Sequence, residues 1–198
     1  MDIPRLHVVT DSLEIARAAL SAGAPLIQVR VADDVTDREA FELSVKVAHE
    51  CEARGAVCLI NDRLDVALAV GATGAHVGAD DLPIEVSRRI LGDRAVLGAS
   101  ARRPGRAAEV LEHADYLGCG QVNPSFTKDV AAAVIGLAGL AEVVAAAGRT
   151  PVIAIGGLTV RDVPAVLAAG AHGLAVIGAI RDAADPARAT AELLRALG

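Results

Sequence analysis

Residues 56–81 read AVCLINDRLDVALAVGATGAHVGADD. An apolar run, AVCLIND (56–62), gives way to a segment of helical period, LDVALAVGATG, and then to a second apolar run, GAHVG (74–78). Both runs are nearly continuous in apolar residues instead of alternating, which is how a strand covered on both faces reads. Strand, helix and strand in so short a span make a βαβ unit with parallel strands.

The unit repeats in both directions. Upstream lie LHVVT (6–10) and PLIQVR (25–30); downstream lie AVLGAS (95–100), DYLGCG (115–120), PVIAIGG (151–157) and GLAVIGAI (173–180). Between them run helix-period segments such as SLEIARAALSAG, DREAFELSVKVAHECEARG, PIEVSRRILGD, GLAGLAEVVAAAG and VRDVPAVLAAG, most closing on a glycine as helix C-termini do. A last helix, about 187–197, follows Asp185-Pro186, an N-cap and first-turn pair. Eight alternations predict a closed (β/α)8 TIM barrel in one compact domain spanning residues 1–198, with lean loops. The competing architecture is a doubly wound open sheet, but no G-x-G-x-x-G opens the first helix, where the chain reads TDSLEIA.

Composition narrows the function. The 198 residues are 53% hydrophobic and 2% aromatic, with a formal charge of -6 and a pI near 5.3. Acids and bases are interspersed, so no extended phosphate-backbone footprint is expected and nucleic acid is excluded as a partner. Cys51, Cys58 and Cys119 are odd in number and lack C-x-x-C spacing, as reduced thiols of a cytoplasmic protein would be. Glycines and charges interrupt every apolar run short of a membrane span, and no leader is evident. The expectation is a cytoplasmic protein without membrane contact. Self-association is left open.

In a parallel barrel the active site is built from the loops that follow the strands, so the strand ends carry the reading. Strand two ends in Gln28-Val29-Arg30, strand three in Asn61-Asp62, and strand four in Gly78 followed by Asp80 and Asp81. Strand five ends in Ser100, strand six in QVNPSFTKD (121–129), strand seven in Gly156-Gly157 and strand eight in Ile177-Gly178. Glycines at the ends of strands seven and eight let backbone N–H groups approach a phosphate; the alternative is a tight turn before Thr159 caps the next helix. Asp62 and Asp81 end neighbouring strands and suit Mg2+, unless they serve as helix caps. Arg30 and Lys128 supply positive charge for a diphosphate, and Ser125 and Thr127 beside Lys128 make an anion-binding loop. The same N-P-S segment also spells an ordinary turn.

Of the five histidines, His76 reads as a hydrogen-bonded core residue, and His7 points into the barrel or into its mouth. His49, His113 and His172 receive no role, and no Ser-His-Asp or Cys-His arrangement supports hydrolysis.

Taken in order, QVR (28–30), NDRLDVALAVGATGAHVGADD (61–81), LGAS (97–100), DYLGCGQVNPSFTK (115–128), AIGG (154–157) and AVIGAI (175–180) resemble thiamine phosphate synthase and its TenI-type relatives over nearly the whole chain. The resemblance implies a transferase that condenses hydroxymethylpyrimidine diphosphate with a thiazole phosphate, giving thiamine phosphate and diphosphate. By that likeness Gln28, Arg30, Asn61, Ser100 and Lys128 grip the pyrimidine diphosphate, with Arg30, Lys128 and Ser100 as the catalytic groups. Asp62 and Asp81 match the magnesium ligands; Ser125, Thr127, Gly157, Ile177 and Gly178 match the thiazole phosphate contacts. The reaction implied ionises the pyrimidine methylene carbon before the thiazole nitrogen attacks, so it needs no general base.

The chain departs from the family pattern in places. Position 32 of the Q-x-R-x-K motif is Ala32, position 79 is Ala79, the G-P-I-Y-P-T segment reads Gly120-Gln121-Val122-Asn123-Pro124-Ser125, and Gly178 replaces a serine. Two alternatives follow: a TenI-type thiazole tautomerase, whose histidine falls near Gln121 here, and a non-catalytic homologue that keeps only the thiazole phosphate cup.

Overall fold

The computed structural model describes residues 2–124 and 133–198. Eight parallel strands close into a barrel in sequence order, from β1 (Leu6–Thr10), β2 (Leu26–Val29), β3 (Val57–Asn61) and β4 (Gly74–Val77) to β5 (Val96–Ser100), β6 (Tyr116–Cys119), β7 (Val152–Ile155) and β8 (Gly173–Val176). The circle shuts where Leu6, His7 and Val8 pair with Leu174, Ala175 and Val176. The open-sheet alternative is thereby ruled out.

Helices α1 (Leu13–Ser21), α2 (Asp37–Glu52), α3 (Leu64–Ala69), α4 (Ile84–Leu91), α5 (Pro104–Val110), α6 (Gly136–Ala147) and α7 (Val163–Ala168) separate the strands. Local chemistry sets their starts. Ser12 Oγ accepts from the Ile15 N–H, and Thr36 closes a capping box with Glu39. The glycines after α1, α2, α3, α6 and α7 have positive φ, as the terminating turns require. Helix α9 (Pro186–Leu197) begins where Asp185 accepts from the Arg188 N–H, as its Asp-Pro start predicts.

One apolar run divides in two. GLAVIGAI reads as a continuous strand, yet β8 stops at Val176 and Gly178–Arg181 form a one-turn helix, α8, held by Arg181 N–H to Ile177 O (2.9 Å) and Asp182 N–H to Gly178 O (3.0 Å). Apolar periodicity cannot separate a short buried helix from a strand.

Side chains alternate across the barrel wall. Leu6, Val8, Ile27, Ile60, Leu97, Leu117 and Leu174 face the helices and are fully or almost fully buried, each such leucine contributing about 1.5–3 kcal/mol by leaving water. Val9, Leu26, Leu59, Val96, Tyr116, Ile153 and Ala175 fill the inside. Toward the C-terminal mouth the inward positions turn polar. This change of character locates the site.

Candidate active site

At the mouth, the inward residues of β2 and β3 meet. The buried Gln28 donates from Nε2 to Asn61 Oδ1 (3.2 Å), and Asn61 donates from Nδ2 to Asp62 Oδ2 (2.6 Å). Asp62 follows β3 with a left-handed φ of 62°, a conformation that Asp and Asn tolerate better than other side chains. Its N–H bonds His76 O (2.8 Å), so the backbone stays fixed while the carboxylate reaches solvent. Asp81, beyond β4, is also exposed and accepts the Gly78 N–H on Oδ2 (2.6 Å).

Neither carboxylate is a helix cap. Arg63 and Pro83 occupy the N-cap positions of α3 and α4, without side-chain caps. The capping alternative for Asp62 and Asp81 therefore fails, and both stand at the ends of adjacent strands. Among the described residues no group of three or more His, Cys, Asp or Glu side chains could enclose a metal ion. The donor set is two carboxylates, which suits a hard cation completed by water and phosphate oxygens.

Arg30 extends from the end of β2, its N–H bonded to Thr10 O (2.9 Å), into a cleft of about 150 Å³ lined by Val9, Thr10, Asp11, Val31, Ala32, Ile177 and Arg181. Arg181 binds Asp182 through two contacts, at 2.7 and 3.0 Å, and the partnership raises its pKa above the ordinary arginine value. Thr10, Asp11 and Arg181 were not among the residues expected from the strand ends. The first strand's end obeys the same rule as the others, and Arg181 follows Gly178 by three residues; those were the available signals.

The loops after β6 and β7 are joined. Val122 N–H bonds Ile155 O (2.9 Å), Asn123 N–H bonds Gly156 O (3.0 Å), and Asn123 Nδ2 donates to Asp162 Oδ1 (3.0 Å). A Cβ on Gly156 would lie 2.7 Å from Gln121 Cα, and one on Gly157 would lie 2.3 Å from Pro124 O. With φ of 103° and 61°, both positions demand glycine on two counts. Thr159 and Asp162 complete the turn as a capping box. Although partial burial works the other way, hydrogen bonds from Thr159 and Asn123 hold the Asp162 carboxyl below the usual carboxylate range. Gln121, Val122 and Asn123 thus build the rim. The anion-loop residues Ser125, Thr127 and Lys128 lie outside the described residues.

Ser100 closes the ring at the end of β5, its Oγ 3.0 Å from His76 Nε2, while His76 Nδ1 lies 2.9 Å from the Tyr116 hydroxyl. His76 is therefore the hydrogen-bonded residue expected. His7 is 1% exposed and points into the barrel, not its mouth.

The thiamine monophosphate synthase family model matches residues 4–180. The chain belongs to that family. Among thiamine monophosphate synthase relatives, the thiamine-phosphate synthase of Salinispora arenicola is 54% identical over 202 residues, covering 98% of this chain and 97% of its own. That of Laribacter hongkongensis is 45% identical, covering 91% of this chain and 85% of its own. The solved thiamine phosphate pyrophosphorylase from Pyrococcus furiosus superposes with a TM-score of 0.88 at 38% identity, covering 98% of this chain and 95% of the other.

Proposed function

We propose that this chain is a thiamine phosphate synthase, a transferase joining hydroxymethylpyrimidine diphosphate to a thiazole phosphate with release of diphosphate. Family membership supports the reading, and one structural observation carries it: the hydrogen-bonded line Gln28–Asn61–Asp62 runs from the inner wall of the barrel to an exposed carboxylate at the end of β3, with Arg30 at the end of the neighbouring β2. An enzyme without a diphosphate substrate has little use for that combination.

In this reading Gln28, Asn61 and Ser100 hold the pyrimidine, while Arg30 and Lys128 bind the diphosphate. Asp62 and Asp81 would hold Mg2+, which when bound offsets charge on the diphosphate. The carbon–oxygen bond to diphosphate breaks heterolytically, the electron pair leaving with the phosphate oxygen. The thiazole nitrogen then supplies a lone pair to the methylene carbon, forming the carbon–nitrogen bond of a thiazolium. No proton moves. The chain's own contribution is orientation and fixed positive charge from Arg30 and Lys128, aimed where negative charge develops.

Gly157, Ile177 and Gly178, with Ser125 and Thr127, form the cup for the thiazole phosphate. The positive-φ turn at Gly156-Gly157 and the helix start at Gly178 support this, since turns and helix starts of these kinds offer backbone N–H groups to an anion. The protein acts as one domain on small molecules. Three free buried thiols support a reducing, cytoplasmic setting; among the described residues no helix is long and apolar enough to cross a membrane.

The test supplies both substrates with and without Mg2+ and follows diphosphate. The synthase reading requires diphosphate release that depends on both substrates and the metal. Isomerisation of the thiazole phosphate without metal would replace it with the tautomerase. Thermal stabilisation by a thiazole phosphate with no turnover would replace it with a silent binding protein.

A further inference from the structure

Inside the barrel lies a polar chain of which the reaction outlined above uses only Ser100. Tyr116, His76 and Ser100 come from β6, β4 and β5, and their contacts run from the barrel axis to the mouth. Glycines make room for them. A Cβ on Gly98 would lie 2.2 Å from Tyr116 Cζ and 2.5 Å from His76 Nδ1; one on Gly118 would lie 2.8 Å from His76 Cε1.

The direction of each hydrogen bond follows from donor counting. Tyr116 is 1% exposed, and burial pushes the pKa of its hydroxyl up, so it keeps its proton. Among the described residues its one hydrogen-bond partner is His76 Nδ1, and a buried O–H seeks an acceptor. Tyr116 therefore donates and Nδ1 accepts. An imidazole accepting at Nδ1 carries its proton on Nε2. Nε2–H then donates to Ser100 Oγ. A serine hydroxyl has one proton, and with a lone pair already committed to His76, that proton is directed away from the histidine. The reverse polarity would leave the Tyr116 proton buried without an acceptor.

We infer that His76 is a positioning residue: held as the Nε2–H tautomer by Tyr116, it makes Ser100 a dedicated hydrogen-bond donor toward a lone pair on the bound substrate. The inference rests on the synthase reading for the identity of that substrate, but not for the tautomer. It selects an acceptor at this point of the ligand, a ring nitrogen or a phosphoryl oxygen, and rejects an amino group.

Two measurements test it on the full-length chain. With [15N]histidine labelling, the resonances lost in His76→Gln identify His76; Nε2 must be protonated and Nδ1 unprotonated, and Tyr116→Phe must perturb Nδ1. An Nδ1–H tautomer, or a His76 spectrum indifferent to Tyr116→Phe, overturns the proposal whether or not the protein is a synthase. In turnover assays Ser100→Ala and His76→Leu each lower kcat/KM about tenfold, the equivalent of one hydrogen bond. The double variant is no worse than Ser100→Ala within about twofold, and His76→Gln, which keeps a donor, recovers most of the loss. Multiplying losses, or a His76→Gln no better than His76→Leu, refutes action through Ser100. Binding of inorganic diphosphate and of the pyrimidine alcohol to wild type and Ser100→Ala then separates the acceptors: weakened diphosphate binding marks a phosphoryl oxygen, weakened alcohol binding a ring nitrogen, and neither weakened refutes the donor role.

Discussion

Mild acid should destabilise this barrel through one histidine. His7 projects from β1 into the interior, 1% exposed, with its edge on the Tyr116 ring at a centroid distance of 4.9 Å and Nε2–H donating to Pro4 O at 3.1 Å. Burial, reinforced by the nearby His76, lowers its pKa from 6.5 to about 3. The folded imidazole therefore stays neutral throughout pH 5–7, whereas in the unfolded chain it takes up a proton below 6.5. Protons bind the unfolded state preferentially, so stability is complete above 6.5 and is lost as pH falls toward 3. Each pH unit inside that window costs about 1.36 kcal/mol, and integration from pH 7 to pH 5 gives about 2 kcal/mol. The carboxyls held below their ordinary values, such as those of Glu50 and Asp182, lose their contribution only at lower pH. Urea unfolding at pH 5, 6 and 7 of wild type and His7→Gln, which keeps a donor for Pro4 O, reads the difference. At an m-value of about 2 kcal/mol/M the wild-type midpoint falls about 1 M further than the variant's. Equal pH slopes in the two proteins would refute the assignment, as would a native His7 titrating near 6.5.

Other perturbations have definite outcomes. Gly98→Ala places a methyl 2.2 Å from Tyr116 Cζ and is expected to cost about 3 kcal/mol, read by chemical denaturation. Asp62→Asn keeps the left-handed backbone and removes the charge, so diphosphate release falls at least about a hundredfold at unchanged melting temperature, reflecting lost charge stabilisation; Asp62→Ala adds about 1–2 kcal/mol of destabilisation. Arg181→Ala empties the Arg30 cleft of its second guanidinium and is expected to raise the KM of the diphosphate substrate about tenfold in steady-state assays. Asp185→Ala removes the cap of α9 and costs about 1 kcal/mol by urea titration.

The fold was legible because its signals are local and repeated. Near-continuous apolar runs of four or five residues, each followed by a segment of helical period that in most cases closes on a glycine, leave few arrangements other than a closed parallel barrel. The boundary at Ile177-Gly178 was not legible, because one turn of buried helix and the continuation of a strand expose the same apolar residues. The strand-end rule also brought Gln28, Asn61, Asp62 and Ser100 to one mouth, since a parallel barrel sends every strand's C-terminal end to the same face. It could not show that Gln121, Val122 and Asn123 would extend the pairing of β6 onto the β7 loop. That contact depends on glycines 35 and 34 residues away at positions 156 and 157, fitted against Gln121 and Asn123.

Nor could it show the Tyr116–His76–Ser100 chain, whose members are 40 and 24 positions apart. Yet its ingredients were present in the sequence as parity. His76 and Gly74 share a face of β4, Ser100 and Gly98 share a face of β5, and Tyr116 and Gly118 share a face of β6, all of them inward. The chain has a single tyrosine, and it is spent at the barrel axis, flanked by glycines that clear its ring and the imidazole beside it. A ring of that size placed purely for packing would have been served by an apolar aromatic without a hydroxyl to satisfy. The hydroxyl is what imposes a proton direction on His76, and through it on Ser100. In a barrel whose other interior aromatic partner, His7, is held neutral by burial, the polar layer at the mouth can carry fixed dipoles without adding charge to a site that must bind phosphates through Arg30.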